Sequence, residues 1–460
     1  MKDLMRLVTV GTGYVGLTTG VALAYLGHRV VCVDKDDVKL SSLLEGRCPI
    51  HEAGLEAMMR RVKPRLSFTD KLSEAVPEAV IIMIAVGTPA GPDGGAETGY
   101  VEAAAKQVAE EMWEGRKYTM VVKSTVPIGT NRRVAHVIGQ VLRERGCTAE
   151  VQVVSNPEFL SEAQALRDFL YPDRIVVGAE FPEGVDVMRR LYRPLLEQTF
   201  DPPDGLPRPP GYSLPPMITT DPVSAEMIKY ASNAFLAVKI SFINEMAGLC
   251  ERVGADVTEV ARGMGLDPRI GSKFLQAGAG WGGSCFPKDT AALIALGREH
   301  NYEMPIVSAA RAINLRQRKH LVDRLQDALL GVRGRIICIF GLAFKPCTDD
   351  LREAPGLEII RLLIERGAHV RAHDPLALQQ ARKLLQGLDV EFYDDPYRMA
   401  EGADALFLVT EWPEYREFDL SRMAARMRTP LLLDGRNLFD PKEARQAGLR
   451  YLGVGRSERL

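Results

Sequence analysis

The chain has 460 residues, of which 46% are hydrophobic and 26% charged, and its formal net charge is −2. This balance is typical of a globular protein of two or three domains. It argues against the basic surface of a nucleic-acid-binding protein and against a polybasic membrane anchor. Seven scattered cysteines without a CxxC pair disfavour a disulfide framework or a metal site and favour a reducing compartment. We therefore expect a cytoplasmic protein without a membrane span.

Strand and helix patterns alternate along the first third of the chain. A short apolar run is followed by a helical pattern at Tyr14–Leu26, and further apolar runs of similar length recur. The predicted strands are Leu7–Val10, Arg29–Val33, Val80–Val86, Thr119–Lys123, Val151–Ser155 and Arg174–Gly178. Such a series predicts a parallel sheet with helices on both faces.

The middle of the chain changes character. Residues 201–216 contain seven prolines, which predicts a loop or a boundary. Asp221-Pro222 then predicts a helix start, and the helical pattern continues to Arg252, roughly 45 Å further on. A helix of this length usually bridges two domains or packs against a partner subunit, and we expect a homodimer. The apolar side chains that cover more than one stripe of this helix are Phe235, Leu236, Ile240, Phe242, Ile243, Met246 and Leu249.

A second α/β pattern begins near Gly334. Its predicted elements are strands Arg335–Phe340, Ala368–His373, Ala405–Thr410 and Pro430–Asp434 and a helix Ala354–Arg366. The sequence thus predicts an α/β protein with two Rossmann-like, doubly wound parallel-sheet domains, joined by a helical segment with a long central helix. The expected domains are residues 1–205 for dinucleotide binding, 206–318 for the central helices and 319–460 for the second α/β part.

A glycine pattern after the first strand predicts a dinucleotide site. Gly11, Gly13 and Gly16 follow the strand and open a helix, where backbone N–H groups meet phosphates. The second strand ends at Asp34, whose carboxylate would bond the ribose hydroxyls and repel the extra phosphate of NADP. The sequence therefore favours NAD.

Three further segments have polar residues in an unusual setting. Glycines precede Cys285, and a proline after it would place the thiol at the positive end of a helix, with Asp289 one turn further on. A buried cysteine beside a glycine-rich turn is the alternative. Lys229 and Asn233 share one face of the long helix, where they need partners.

Carboxylates and a threonine complete the set. Asn156-Pro157 is typical of a helix cap, which would place Glu158 and Glu162 in a first turn, where acids often only complement the helix dipole. Thr125 follows a strand of the nucleotide domain, at the edge where open parallel sheets bind ligands.

These residues closely resemble the UDP-glucose/GDP-mannose dehydrogenase family over nearly the whole chain. The run Gly-Gly-Ser-Cys-Phe-Pro-Lys-Asp ending at Asp289 is specific to that family. Ser161-Glu162-Ala163 departs from the Arg-Glu-Gly of many members, and the stretch 201–216 looks like an insertion. The matching segments are Gly11–Leu17, Lys123–Thr130, Asn156–Leu160, Pro172–Gly178, Glu226–Glu245, Arg269–Leu275, Gly282–Asp289, Gly341–Pro355 and Asp434–Asn437.

The resemblance implies catalytic roles for the matching positions. Cys285 would be the nucleophile, and Lys229, Asn233 and Asp289 would hold the reacting oxygen and a water, with Thr125 nearby. The remaining catalytic positions, which would assist hydrolysis of a thioester, are Glu158 and Glu162.

Binding positions are implied in the same way. NAD would contact Gly11, Gly13, Tyr14, Val15, Gly16, Asp34, Lys39, Thr88, Ser124, Thr125, Glu162, Lys288 and Arg352. The nucleotide sugar would contact Glu158, Phe159, Leu160, Lys229, Asn233, Arg269, Phe274, Leu275, Gly282, Phe344, Lys345 and Arg436, with Arg269 reaching it across a dimer.

The implied reaction is an NAD-dependent, four-electron oxidation of UDP-glucose to the uronate through a Cys285 thioester. The same chemistry on GDP-mannose or a UDP-N-acetylhexosamine is a close alternative. A hydroxyacid dehydrogenase with a single oxidation is another, and an NAD-binding regulatory protein with a relict site is a third.

Overall fold

Two β-sheets organise the chain in the computed structural model, which describes residues 4–91 and 94–456. Each sheet belongs to its own unit, the first being Met1–Ser232 and the second Asn233–Leu460. The predicted α/β fold with two doubly wound sheets is confirmed. The division into three domains stays a prediction, and its outer bounds at residues 1 and 460 lie outside the described residues.

Eight strands form the sheet of the first unit over its described residues. They are β1 Arg6–Val10, β2 Arg29–Val33, β3 Leu66–Thr69, β4 Ile81–Ile84, β5 Lys117–Val122, β6 Glu150–Ser155, β7 Ile175–Ala179 and β8 Met217–Thr220. Their order is β3-β2-β1-β4-β5-β6-β7-β8, and neighbours are parallel except β6 with β7, where Val154 pairs antiparallel with Ala179. The predicted strands are confirmed within three residues at each end, whereas β3, β8 and the antiparallel pairing were not predicted.

Helices cover both faces of this sheet. They are α1 Tyr14–Tyr25, α2 Asp37–Leu44, α3 Leu55–Arg61, α4 Leu72–Ala75, α5 Gly99–Glu110, α6 Thr130–Glu144, α7 Ala165–Leu170 and α8 Pro182–Leu196. Successive residues of β4 point to the two faces of the sheet. Ile81 packs in the core that contains α1, and Ile82 packs in the core that contains α5 and α6. Burial on both faces explains why the strands are apolar runs without alternation.

The long helix α9, Pro222–Val253, has 32 residues and begins with the predicted proline. At 1.5 Å per residue it is about 48 Å long. Residues 201–216, which precede it, contain no helix or strand, as their prolines predict. Over the described part of the chain, neither α9 nor another helix combines the length and apolarity needed to cross a membrane.

Six parallel strands form the sheet of the second unit over its described residues. They are β9 Ile336–Phe340, β10 His369–His373, β11 Val390–Phe392, β12 Ala405–Leu408, β13 Leu431–Asp434 and β14 Arg450–Gly453, in the order β11-β10-β9-β12-β13-β14. In each sheet the first strand, β1 or β9, has the second strand on one side and the fourth on the other. The strand order therefore changes direction between β1 and β4 and between β9 and β12. Ligands of open α/β sheets commonly bind at such switch points.

The helices of the second unit follow α9. They are α10 Val257–Gly265, α11 Phe286–Glu299, α12 Pro305–Leu329, α13 Pro355–Glu365, α14 Leu378–Leu384, α15 Pro396–Met399, α16 Leu420–Ala424 and α17 Pro441–Gln446. A single core contains Ile243 of α9, Leu325 of α12 and Ile337 of β9. Leu275, from the segment between α10 and α11, packs in the same core. The central helices and the second sheet therefore pack as one body, which explains why they belong to one unit.

Candidate active site

The glycine loop after β1 is shaped to receive a dinucleotide. Gly11 has a φ of 98°, in the left-handed region that favours glycine. A Cβ atom at Gly16 would overlap the carbonyl oxygen of Gly11, whereas one at Gly13 would meet nothing within 4 Å. Gly13 is the N-cap of α1 and brings no side chain to cover the first N–H groups. The open approach and the uncovered helix N-terminus fit a pyrophosphate.

Asp34 lies directly after β2 and has a defined orientation. Its Oδ2 accepts hydrogen bonds from the Thr12 backbone N–H at 2.7 Å and hydroxyl at 2.5 Å, and Oδ1 accepts from Asp36 N–H at 3.1 Å. Burial acts to raise the pKa of this carboxyl, but these hydrogen bonds and the charge of Lys39 outweigh burial and hold it below its usual value. An ionised carboxylate has about four acceptor positions, so capacity remains for ribose hydroxyls.

Three more residues predicted to contact NAD lie at the same edge of the first sheet. The Thr88 hydroxyl, after β4, donates to the Thr125 carbonyl at 2.8 Å, and the Ser124 hydroxyl, after β5, donates to the Val86 carbonyl at 2.7 Å. These bonds tie together the loops at the carboxyl ends of β4 and β5. Since Gly11 lies against Ala85 of the first loop, the structure brings these predicted residues together.

Lys229 and Glu158 form a buried ion pair. Lys229 Nζ lies 2.9 Å from Glu158 Oε1, and their side chains are 5% and 6% exposed. Glu158 Oε2 also accepts a hydrogen bond from Leu160 N–H at 2.5 Å. Burial acts to raise the pKa of Glu158, but Lys229, the Leu160 hydrogen bond and Lys123 together hold it below its usual value. The partner that the sequence required for Lys229 is therefore Glu158.

The predicted helix cap at Asn156 is wrong. Residues 156–161 contain no helix, and α7 begins only at Ala165. The Asn156 side chain cannot cap because its Oδ1 accepts from Lys123 Nζ at 3.2 Å and from the Tyr192 hydroxyl at 2.6 Å, and its Nδ2 donates to Val176. Glu158 is consequently held by its ion pair and not by a helix dipole.

The rest of this segment carries other predicted residues. The Phe159 ring lies 3.6 Å from the Arg174 guanidinium carbon and 5.4 Å from Lys229 Nζ, measured to its centroid. Glu162 lies in a turn beyond it. The next residue, Ala163, has a φ of 65°, a conformation that costs an L-residue energy and that glycine adopts freely. The alanine at this position is therefore more strained than a glycine would be.

In the second unit, Cys285 is the N-cap of α11 and Pro287 lies in the first turn, as predicted. The Cys285 Sγ lies 3.5 Å from the Ser284 hydroxyl, and its carbonyl accepts from Asp289 N–H at 2.8 Å. The positive end of a helix favours a thiolate, which is the nucleophilic form of cysteine.

Asp289 is fully buried and is held from two sides. Asn233 Nδ2 donates to its Oδ2 at 2.6 Å, and Lys288 Nζ lies 2.5 Å from its Oδ1. Asn233 is buried as well, so the partner that the sequence required for it on α9 is Asp289. The Asp289 carboxylate lies one helical turn from the thiol, and the Asn233 amide is bonded to it. Together these two groups can hold and activate a water.

The glycines before Cys285 allow another segment to approach. A Cβ atom at Gly282 would overlap the carbonyl oxygen of Glu353, and one at Gly283 would lie 2.7 Å from the Phe344 ring. Gly283 N–H also donates to the Arg352 carbonyl at 2.9 Å. The structure thus brings the predicted residues Gly282, Phe344 and Arg352 to the cysteine loop.

The remaining predicted residues of this unit have varied surroundings. Arg436 Nε donates to the Val409 carbonyl at 2.7 Å, and its side chain packs against Gly278. Lys345 Nζ lies 5.5 Å from the Phe344 ring centroid. Phe274 has a φ of 64° and Leu275 is buried in the core. Arg269 is exposed and pairs with Asp267 at 2.6 Å, so its role across a dimer stays a prediction.

Sequence reasoning missed Lys123 and Arg174, which lie around Glu158. The signal for Lys123 is its position directly after the apolar run of β5. Lysine is almost never fully buried unless it is paired, but one sequence does not show whether a strand end is covered.

Comparison with known proteins gives consistent matches. The models of the UDP-glucose/GDP-mannose dehydrogenase family match its NAD-binding domain at residues 5–196, its central domain at 223–316 and its UDP-binding domain at 338–441. The chain is 46% identical to the UDP-glucose 6-dehydrogenase of Rhizobium meliloti, over 99% of this chain and 100% of that protein.

Solved structures agree. A UDP-glucose dehydrogenase from Pyrobaculum islandicum has 40% identity and a TM-score of 0.87, covering 99% of this chain and 98% of its own. A UDP-D-ManNAc dehydrogenase from Pyrococcus horikoshii has 26% identity and a TM-score of 0.83, covering 98% and 99%.

Proposed function

Because the chain belongs to the UDP-glucose/GDP-mannose dehydrogenase family, we propose that it oxidises UDP-glucose to UDP-glucuronate, with two NAD consumed per sugar. It is an NAD-dependent oxidoreductase. The observation that supports the chemistry best is Cys285 at the start of α11, with Asp289 one turn on and bonded to Asn233.

NAD, when bound at the Gly11–Gly16 loop and Asp34, supplies the acceptor for each of the two hydrides. In the first oxidation the sugar's primary alcohol loses a hydride and a proton and becomes an aldehyde. Lys229 and Asn233, one turn apart on α9, stabilise the negative charge that develops on the reacting oxygen. Glu158 orients Lys229 through their ion pair.

The second oxidation requires a nucleophile because an aldehyde has no suitable hydride until something adds to it. The Cys285 thiolate forms a C–S bond to the aldehyde carbon, and the oxygen is protonated. Loss of the second hydride and of that proton leaves a thioester. Water, activated by Glu162 or Asp289, then cleaves the C–S bond and restores the thiol. In total, one alcohol, two NAD and one water give one carboxylate, two NADH and three protons.

Substrate recognition falls to the remaining predicted residues. Lys345 and Arg436 are cations suited to the diphosphate or the sugar, and Thr125 lies near the reacting carbon in this proposal. We also propose a cytoplasmic location, since the nucleophile must remain a reduced thiol. The domain division 1–205, 206–318 and 319–460 is part of the proposal.

The test is NADH stoichiometry with UDP-glucose, GDP-mannose and UDP-N-acetylmannosamine as separate substrates. We expect two NADH per UDP-glucose and much lower kcat/KM for the other two sugars. Cys285→Ser should bind NAD and UDP-glucose. It should stall after at most one hydride transfer, or accumulate an ester that mass spectrometry detects. One NADH with free aldehyde from the wild type, or normal turnover by Cys285→Ser, would contradict the proposal.

We propose further that the protein is a homodimer through α9. Phe235, Phe242 and Leu249 recur at intervals of seven residues, as in a helix–helix seam, and their exposed fractions are 64%, 41% and 53%. Ile243 is not part of this face because it is buried in the core of its own chain. Exposed apolar residues at this spacing favour a self-complementary contact.

The dimer proposal is tested by light scattering of Phe242→Glu/Leu249→Glu. The variant should be monomeric, whereas Phe181→Glu, at a comparably exposed phenylalanine of the first unit, should leave the mass unchanged. A monomeric wild type with full activity would refute the proposal.

A further inference from the structure

Three cationic side chains act on the Glu158 carboxylate. Lys229 pairs with it directly, and the charges of Lys123 and Arg174 also act on it. Lys123 is only 4% exposed and Arg174 is half-buried. The proposed mechanism assigns roles to Glu158 and Lys229 but none to Lys123. A second buried lysine beside a single carboxylate therefore needs an explanation.

Lys123 is poorly satisfied as an ammonium. Among the described residues, its Nζ has one hydrogen-bond acceptor, Asn156 Oδ1 at 3.2 Å, and the Tyr192 hydroxyl donates to that same oxygen at 2.6 Å. An ammonium has three N–H donors. Unsatisfied donors away from water favour the neutral amine. Burial, aided by the charge of Lys229 and opposed by Glu158, lowers the pKa of Lys123 to about 8.

We propose that Lys123 is an electrostatic positioning residue for the oxidation: by competing for Glu158, it sets how strongly Lys229 holds its proton. The inference rests on the proposed function, in which Lys229 stabilises the reacting oxygen. Two cations that share one carboxylate disfavour each other. Protonated Lys123 therefore weakens the hold of Lys229 on its proton, and the cluster has surplus positive charge ready for a developing alkoxide.

The sign of the effect follows from the charges around Glu158. Lys229 approaches from α9, Lys123 from the end of β5 and Arg174 from the segment before β7, with Asp173 beside Arg174. Lys123→Met removes one cation and leaves the length of the side chain. Both Glu158 and Lys229 then bind protons more tightly. Because Lys229 acts in its protonated form, the alkaline limb of the pH profile of kcat should move to higher pH, by on the order of one unit.

Tyr192→Phe is the matched control. It removes the other hydrogen bond to Asn156 Oδ1 but changes no charge, so the pH profile should stay in place even if stability falls. If Lys123 only fills space and holds Asn156, both variants should behave alike. Lys123→Gln, which keeps a donor for Asn156, serves as a second variant if Lys123→Met does not fold.

A second readout does not depend on activity. A lysine with a pKa of about 8 in the folded protein and 10.5 unfolded binds its proton less well when folded. Its destabilising effect is complete below pH 8 and disappears as pH rises towards 10.5. Relative to Lys123→Met, the folding equilibrium constant of the wild type should rise by roughly 300-fold across this range, at tenfold per pKa unit.

The outcomes separate the two proposals. A wild type that fails to produce two NADH refutes the proposed function, whatever the variants do. Two NADH from the wild type, with an unshifted pH profile in Lys123→Met, overturns the role of Lys123 alone. Identical pH dependence of unfolding in the wild type and Lys123→Met does so as well.

Discussion

Glu158→Gln tests the ion pair on which the site of the first unit depends. The substitution keeps the side chain's shape but removes its charge, so the buried Lys229 would lose the carboxylate that pairs with it. Both side chains are almost completely buried, and solvent screening is therefore slight. Neutralising one partner of a buried pair costs about 3–5 kcal/mol of unfolding free energy. Lys123 and Arg174 add positive charge near Lys229, so we expect a loss of unfolding free energy towards the upper end of this range.

The loss should depend on pH in a defined way. Since the pKa of Glu158 is held below its unfolded value of 4.5, its contribution is fully present above pH 4.5 and disappears as pH falls through the folded value. The difference between the wild type and Glu158→Gln should be largest near pH 6 and should fall somewhat as pH rises towards 8, because Glu158 also stabilises the proton that Lys123 loses there. It should shrink below pH 4.5, where the wild-type carboxylate takes up a proton.

Urea unfolding at each pH measures this difference, and Lys229→Met completes a double-mutant cycle. The double variant should be less destabilised than the sum of the two single variants. Glu150→Gln, which breaks the exposed pair of Glu150 and Lys117, is the control and should change little. A loss under 1 kcal/mol for Glu158→Gln, or one that does not change with pH, would refute the reasoning.

Three other substitutions probe the cofactor loop and the buried carboxylate. Gly16→Ala should cost about 1–3 kcal/mol and raise KM for NAD, because its Cβ would overlap Gly11; unchanged thermal unfolding and KM would contradict this. Asp34→Asn should lower the ratio of kcat/KM for NAD over NADP, and an unchanged ratio would mean that Asp34 does not face the ribose. Asn233→Ala removes a donor from Asp289 and should lower kcat by roughly 10²–10³-fold with little change in KM, whereas an unchanged kcat would exclude the proposed role.

The elements and motifs with strong local spacing were predictable from sequence. The loop from Gly11 to Gly16, the helix α9 and the start of α11 at Cys285 depend on neighbouring residues, through glycine conformation, proline position and helical periodicity. The short strands β3, β8, β11 and β14 were missed. They have three or four residues each, too few to show a period, and they are strands because the sheet beside them supplies hydrogen bonds.

Tertiary structure decided what the polar residues do. Asn156 has the sequence signature of a cap, yet Lys123 and Tyr192 occupy its side-chain oxygen from elements 33 and 36 residues away. The partners of Lys229 and Asn233 are likewise distant, and Asn233 and Asp289 lie 56 residues apart. A charge buried without a partner is unstable, so each of these side chains must be paired. The partner that reaches each side chain depends on how the fold brings strand ends and helix faces together. The spacing of residues along the sequence does not determine this.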